Sequence, residues 1–176
     1  MRFFLAALII ACFFSFTFSQ KTIDETLQRF NSNSVDYITV DELKTLNQPL
    51  LFDTRKKEDF DVSHIKDAQW VGHQTFKIDT ILKDYPNKNT PIVVYCSIGV
   101  RSENIGEKLL KAGYTNVKNL YGGIFEWVNR ENTIVDSDEN ETEKIHAFSK
   151  HWGKLLTNGD KVYKTKSKKE IEKKAN

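Results

Sequence analysis

Cys96 is followed by Ser97-Ile98-Gly99-Val100-Arg101-Ser102, and this run has the residue types for thiol chemistry. The thiolate is the reactive form of cysteine, and its pKa of about 8.5 falls beside cations and at helix N-termini, where backbone N–H groups converge. The sequence offers both conditions. Pro91 to Tyr95 is apolar and reads as a buried strand, while Glu103 to Ala112 reads as a helix that stops at Gly113. Cys96 therefore opens a strand-to-helix loop, with Arg101 close by. Gly99 can take the positive φ that a tight loop needs, and Ser102 is placed to cap the helix. The competing reading is an inert thiol, since free cysteine is among the most buried residue types.

The only other cysteine, Cys12, lies in a segment that reads as a leader. Arg2 precedes the apolar stretch Phe3 to Phe14, and Thr17 and Ser19 fit positions −3 and −1 of a signal peptidase site before Gln20. The apolar run is short of the roughly 20 residues that cross a bilayer comfortably, so stable membrane insertion is not expected. Ile9-Ile10-Ala11-Cys12 resembles a lipobox, but Phe13-Phe14 keeps the apolar run going. The expectation is cleavage of residues 1–19 and export, periplasmic or secreted, with anchoring through Cys12 the lesser alternative. Cys96 is then unpaired, and an odd cysteine in an exported chain suggests a reactive thiol. One cysteine and four scattered histidines, His64, His73, His146 and His151, do not make a structural zinc site.

The elements around this loop alternate. Ile23 to Phe30 and the capping box Thr39-Val40-Asp41-Glu42 open short helices, with Tyr37-Ile38-Thr39 a strand between them. Leu50-Leu51-Phe52, Ala68 to Val71, Ile92 to Tyr95 and Val117 to Leu120 read as further strands. Lys57 to Val62, Phe76 to Tyr85 and the stretch after Gly122-Gly123 read as helices. This alternation predicts an α/β domain with a mainly parallel central sheet flanked by helices. Residues 131–143 are acidic and read as a surface linker; Asn140-Glu141-Thr142 within it matches a glycosylation acceptor. Ile145, Phe148, Trp152 and Leu155 then have the spacing of an amphipathic helix, packed on the domain or docking a partner, although Gly153 interrupts it. A basic tail with Lys161, Lys164, Lys166, Lys168, Lys169, Lys173 and Lys174 closes the chain. With a net charge of +2 over 176 residues, nothing points to nucleic acid. Oligomeric state is not readable.

Three signatures in order resemble a single-domain rhodanese, a sulfurtransferase module, over residues 35–130. The first is Leu51-Phe52-Asp53-Thr54-Arg55 with Glu58, Phe60 and Ser63-His64-Ile65-Lys66-Asp67-Ala68. The second is Val93 to Ser102, continuing to Leu109 and Ala112-Gly113-Tyr114. The third is Val117, Asn119-Leu120, Gly122-Gly123-Ile124 and Trp127. The His-Ile segment departs from the family pattern, in which Gly precedes it and Pro-Gly follows.

The resemblance implies that Cys96 takes a sulfane sulfur from a donor such as thiosulfate or a persulfide. It would hold that sulfur as its own persulfide and pass it to a thiol or cyanide. Arg101 and the backbone of Ser97, Ile98, Gly99, Val100 and Ser102 would hold the anion. Asp53 is expected to be structural beside the site, and Arg55 a brace or a contact for an anionic donor. His64 reads as a structural hydrogen-bonder. No metal or organic cofactor is implied. Four residues separate Cys96 from Arg101; related phosphatases use a loop one residue longer to surround a phosphate, so the shorter loop should cradle a single sulfur. The alternative within the fold is a non-catalytic binding or sulfur-sensing module.

Overall fold

The computed structural model describes residues 22–164, so the leader 1–19, Cys12 and the basic residues from Lys166 onward lie outside the described residues. Strand β4 (Ile92–Tyr95) is buried along its whole length, and its successive side chains feed two different cores. Ile92 and Val94 pack with Phe52, Ile105 and Leu109; Val93 and Tyr95 pack with Leu120, Ile124 and Phe125. That period of two, apolar on both faces, is what a covered parallel strand requires. Around it lie β1 (Tyr37–Ile38), β2 (Leu50–Asp53), β3 (Gln69–Trp70) and β5 (Val117–Leu120), in the order β1-β5-β4-β2-β3. All four pairings are parallel. The register sets Asp53 against Tyr95, the residue before Cys96.

Helices α1 (Ile23–Phe30), α2 (Val40–Thr45), α3 (Lys57–Val62), α4 (Ile78–Asp84), α5 (Val100–Lys111) and α6 (Gly123–Asn129) flank the sheet. The expected α/β class holds. The capping box at Thr39 and Glu42 forms as read, and Thr22 with Glu25 forms a second one on α1. Among the described residues no helix is long and apolar enough to cross a membrane.

The chain after α6 corrects two expectations. Residues 131–143 are not a loose linker: β6 (Ile134–Val135) is buried and pairs antiparallel with β7 (Glu141–Thr142). Val135 also exchanges two backbone hydrogen bonds with His64, at 2.8 and 2.9 Å. Two buried β-branched residues outweigh the acidic flanks. The stripe Ile145 to Leu155 is not a helix either. Ile145 lies in β8 (Lys144–His146), which pairs in parallel with β9 (Asp160–Val162), and only one turn of 3-10 helix, Trp152–Lys154, lies between them. Phe148, with φ of 60°, breaks any helix there. Gly153 lets Tyr163 lie close across that turn, since a Cβ on it would sit 2.7 Å from the Tyr163 hydroxyl. Ile134, Ile145, Ala147, Leu155 and Leu156 join the same core as Val93 and Phe125. Helical spacing and a folded-back strand pair can bury the same apolar residues, and here the core decides.

Candidate active site

The β4–α5 loop stands at the carboxyl end of the central strand, where open parallel sheets place their ligands. Gly99 is the N-cap of α5, in the left-handed region at φ 101°, and has no side chain of its own with which to cap the helix. Cys96 Sγ fills that role. The Gly99 amide donates to it at 3.2 Å, and the amides of Ile98 and Ser102 also stabilise its charged form. Ser102 is the third residue of the helix, so the expectation that it caps α5 is corrected: the sulfur occupies the position of a capping oxygen. Burial pushes the Cys96 thiol up, but the Arg101 guanidinium and these three amides more than offset it, and its pKa lies below the ordinary value.

The loop carbonyls face the other way. Those of Cys96 and Ser97 accept from the amides of Ile124 and Phe125 in the first turn of α6, at 2.9 and 3.0 Å. Gly123 makes this approach possible. A Cβ there would sit 2.8 Å from the Ser97 carbonyl carbon and 2.9 Å from the Ile98 amide nitrogen. The Gly99 carbonyl accepts from Asn119 Nδ2 at 2.8 Å and Asn31 Nδ2 at 3.0 Å, and Ser102 Oγ donates to Asn119 Oδ1 at 2.8 Å. Arg101 Nη2 donates to Ser97 Oγ at 3.2 Å. Three amides, those of Ile98, Gly99 and Ser102, thus serve the sulfur, while the carbonyls of Cys96, Ser97 and Gly99 are held by the protein.

Cys96 is 1% exposed and floors a pocket of about 250 Å³. Ile98 and Val100 form one wall, and Ser97 and Arg101 supply its polar groups. Phe30 at the end of α1, and Phe148 and Trp152 from the segment after β8, form the rest. The Phe30 and Trp152 rings meet edge to face with centroids 6.1 Å apart, and the Arg101 guanidinium lies 5.0 Å from the Phe148 centroid.

Of the residues expected at the site, Cys96, Ser97, Ile98, Val100 and Arg101 come together around this pocket, while Gly99 and Ser102 turn their amides to its floor. Arg55 does not join them as an anion contact. It is wholly buried, its Nη2 bonded to the Ser63 carbonyl and to Asp53, with 2.6 Å for each. Asp53 and Arg55 form a brace beside the loop, as a buried guanidinium needs a fixed carboxylate. His64 takes a structural place, its Nδ1 3.1 Å from the Phe60 carbonyl and its ring stacked on Phe60.

The family model described as Rhodanese-like domain matches residues 39–130. The chain belongs to the rhodanese-like family. The chain also matches parts of larger curated proteins. The chain is 32% identical over 113 residues to the adenylyltransferase and sulfurtransferase UBA4 of Candida albicans, covering 60% of this chain and 25% of that protein. It is 30% identical over 115 residues to the tRNA uridine(34) hydroxylase of Photorhabdus laumondii, covering 61% of this chain and 32% of that one. The chain therefore spans a quarter to a third of the length of these relatives. In fold it matches the thiosulfate sulfurtransferase of Pseudomonas aeruginosa, with a TM-score of 0.54 at 18% identity over 69% of this chain and 23% of that one. It also matches the BH2092 protein of Bacillus halodurans, with a TM-score of 0.52 at 20% identity over 65% and 86%.

Sequence reasoning quoted Asn119 in a signature without its role and missed Asn31; the amides of both fix the loop from positions remote in sequence. It also missed Phe30, Phe148 and Trp152. A polar residue between Lys118 and Leu120, buried in the Val117–Leu120 strand, is the signal for Asn119. Nothing in sequence spacing pointed the aromatic residues at Cys96.

Proposed function

We propose that this chain is a sulfurtransferase that works through a persulfide on Cys96. The observation that supports it most is the convergence of three loop amides and Arg101 on one buried sulfur. The cradle is sized for a sulfur anion: four residues between Cys96 and Arg101 leave no arc of amides for a phosphate. The Cys96 thiolate attacks the outer sulfur of the donor. A new S–S bond forms to Cys96 as the donor's own bond to that sulfur breaks, releasing sulfite from thiosulfate or a thiolate from a persulfide. An acceptor thiolate or cyanide then attacks the outer sulfur, leaves as a persulfide or thiocyanate, and restores the Cys96 thiolate. Arg101 and the amides hold the negative charge throughout.

Intact mass spectrometry tests this. Incubation with a sulfane donor should add the mass of one sulfur, removable by cyanide, and Cys96→Ala should add none. A sulfur adduct that persists in Cys96→Ala overturns the mechanism. Loading with no release to any thiol or cyanide would favour a sulfur-sensing module instead. We further propose that the protein is exported after loss of residues 1–19. The support is the run from Arg2 to Gln20, and N-terminal sequencing that finds Met1 retained on the cell-associated protein would refute it.

A further inference from the structure

The pocket over Cys96 is apolar. Its walls are almost wholly apolar, and Arg101 is the only charged side chain among the described residues that line it. That guanidinium is already engaged with Ser97 Oγ and lies near the Phe148 ring. Thiosulfate carries two charges and would have to shed its water against phenyl and indole rings with this one cation to meet it. An apolar group on the donor reverses that balance.

The core uses only part of the aromatic wall: Trp152 packs against it. Phe30 is 50% exposed and Phe148 43% exposed, so neither contributes the burial that its ring could. Phe148 also adopts a left-handed backbone, which disfavours a bulky residue. Strain of this kind, held by the structure around it, marks places where a side chain is aimed for a purpose. Here three rings from two remote segments meet at the mouth above one thiol.

We propose that this pocket selects an organic sulfane donor with an apolar substituent over inorganic thiosulfate, and that Phe148, Trp152 and Phe30 are the selecting residues. This rests on the sulfurtransferase reading above. The step is the same for every donor. Cys96 attacks the terminal sulfur of R–S–S⁻, the S–S bond of the donor breaks, R–S⁻ leaves with the electron pair, and Cys96 keeps the terminal sulfur as its persulfide. Only the group R, seated against the rings, differs. A pocket of about 250 Å³ suits an R no larger than a short alkyl chain or a single ring.

Three stable donors test the idea on the whole protein: thiosulfate, methanethiosulfonate and benzenethiosulfonate. The two thiosulfonates each give up one sulfur and release a sulfinate, so they differ in R alone. The readouts are kcat/KM with cyanide and the rate of sulfur gain by intact mass. We expect benzenethiosulfonate to exceed methanethiosulfonate by about tenfold or more, in line with the effect of several apolar carbons in a fitted pocket. Phe148→Gly, which suits the left-handed backbone, and Phe30→Ala should each shrink that ratio toward unity. A ratio cancels any general loss of activity or of folded protein. Equal rates for the two thiosulfonates, or a ratio unchanged in both variants, overturns the proposal and leaves the sulfurtransferase reading standing. Loading from none of the three donors overturns both.

Discussion

Gly123→Ala gives the sharpest test of how the cradle is built. Two costs follow from the structure. The first is conformational: Gly123 sits at φ 54°, and a Cβ in the left-handed region costs about 1–2 kcal/mol. The second is steric: the new methyl would lie 2.8 and 2.9 Å from backbone atoms of Ser97 and Ile98, and closer still to the Cys96 carbonyl oxygen. Backbone cannot swing aside as a side-chain tip can, so the loop must retreat by about half an ångström, and overpacking of this kind costs about 1–3 kcal/mol. Gly113→Ala is the control. Gly113 has φ of 91° with nothing within 4 Å of its added Cβ, so it carries the first cost without the second. For a domain of this size about 1 kcal/mol shifts Tm by roughly 3–4 °C. Gly113→Ala should lower Tm by about 4 °C, and Gly123→Ala by about 8–15 °C. Turnover should separate them further. Displacing the amides that face Sγ by half an ångström should cost about tenfold in kcat/KM, since 1 Å can cost a hundredfold. Gly113→Ala should turn over normally. Thermal unfolding followed by circular dichroism and a thiosulfate–cyanide assay measure both quantities. Equal losses of Tm and equal activity in the two variants would refute the view that α6 positions the loop.

Three further outcomes are expected. Asn119→Ala leaves the buried Gly99 carbonyl with one donor fewer and Ser102 Oγ without its acceptor. It should cost about 2–4 kcal/mol in urea unfolding, and a loss under 0.5 kcal/mol would contradict the clamp. Arg101→Gln removes the cation that favours the Cys96 thiolate, so the acid limb of alkylation by iodoacetamide should move to higher pH; an unmoved limb would show that the amides act alone. Asp59, buried in α3, pairs with His146 of β8 at 2.6 Å. Burial pushes its carboxyl up, but His146 and the charges of Arg55 and Arg101 outweigh this, and its pKa is lowered. A lowered folded pKa gives stability present above the unfolded carboxylate value of about 3.9 and lost as pH falls through the folded value below it. Asp59→Asn should therefore reduce stability at pH 7 and flatten the acid side of the stability profile, and an unchanged acid side would refute that linkage.

The β4–α5 loop was legible because its signals are local. An apolar run, a cysteine, a glycine and a helical stretch lie within twenty residues, and each acts on its neighbours in the chain. The capping box at Thr39 was legible for the same reason. The start of α5 was misplaced because capping residues are recognised by oxygen, and here the capping atom is the sulfur of Cys96. The segment after Asn129 was misread because its burial is set by tertiary partners. Ile145, Trp152 and Leu155 are spaced for a helix, but the pairing of Lys144–His146 with Asp160–Val162 and the backbone of Phe148 decide otherwise. Asn31 reaches Gly99 across 68 positions of sequence, and no spacing rule carries that information.

The sorting of dipoles in the loop has a consequence for speed. If Cys96 carries a persulfide, as proposed, the negative charge would lie one atom further out, from the floor toward the mouth. The amides that faced the thiolate still face it, and the carbonyls remain held by Ile124 and Phe125. On that proposal no peptide would have to flip and no helix would have to shift between the empty and loaded states. The scaffold would then behave as a fixed electrode past which charge steps. The pace of such a cycle would belong to traffic: how quickly one small molecule clears the apolar opening and the next one enters.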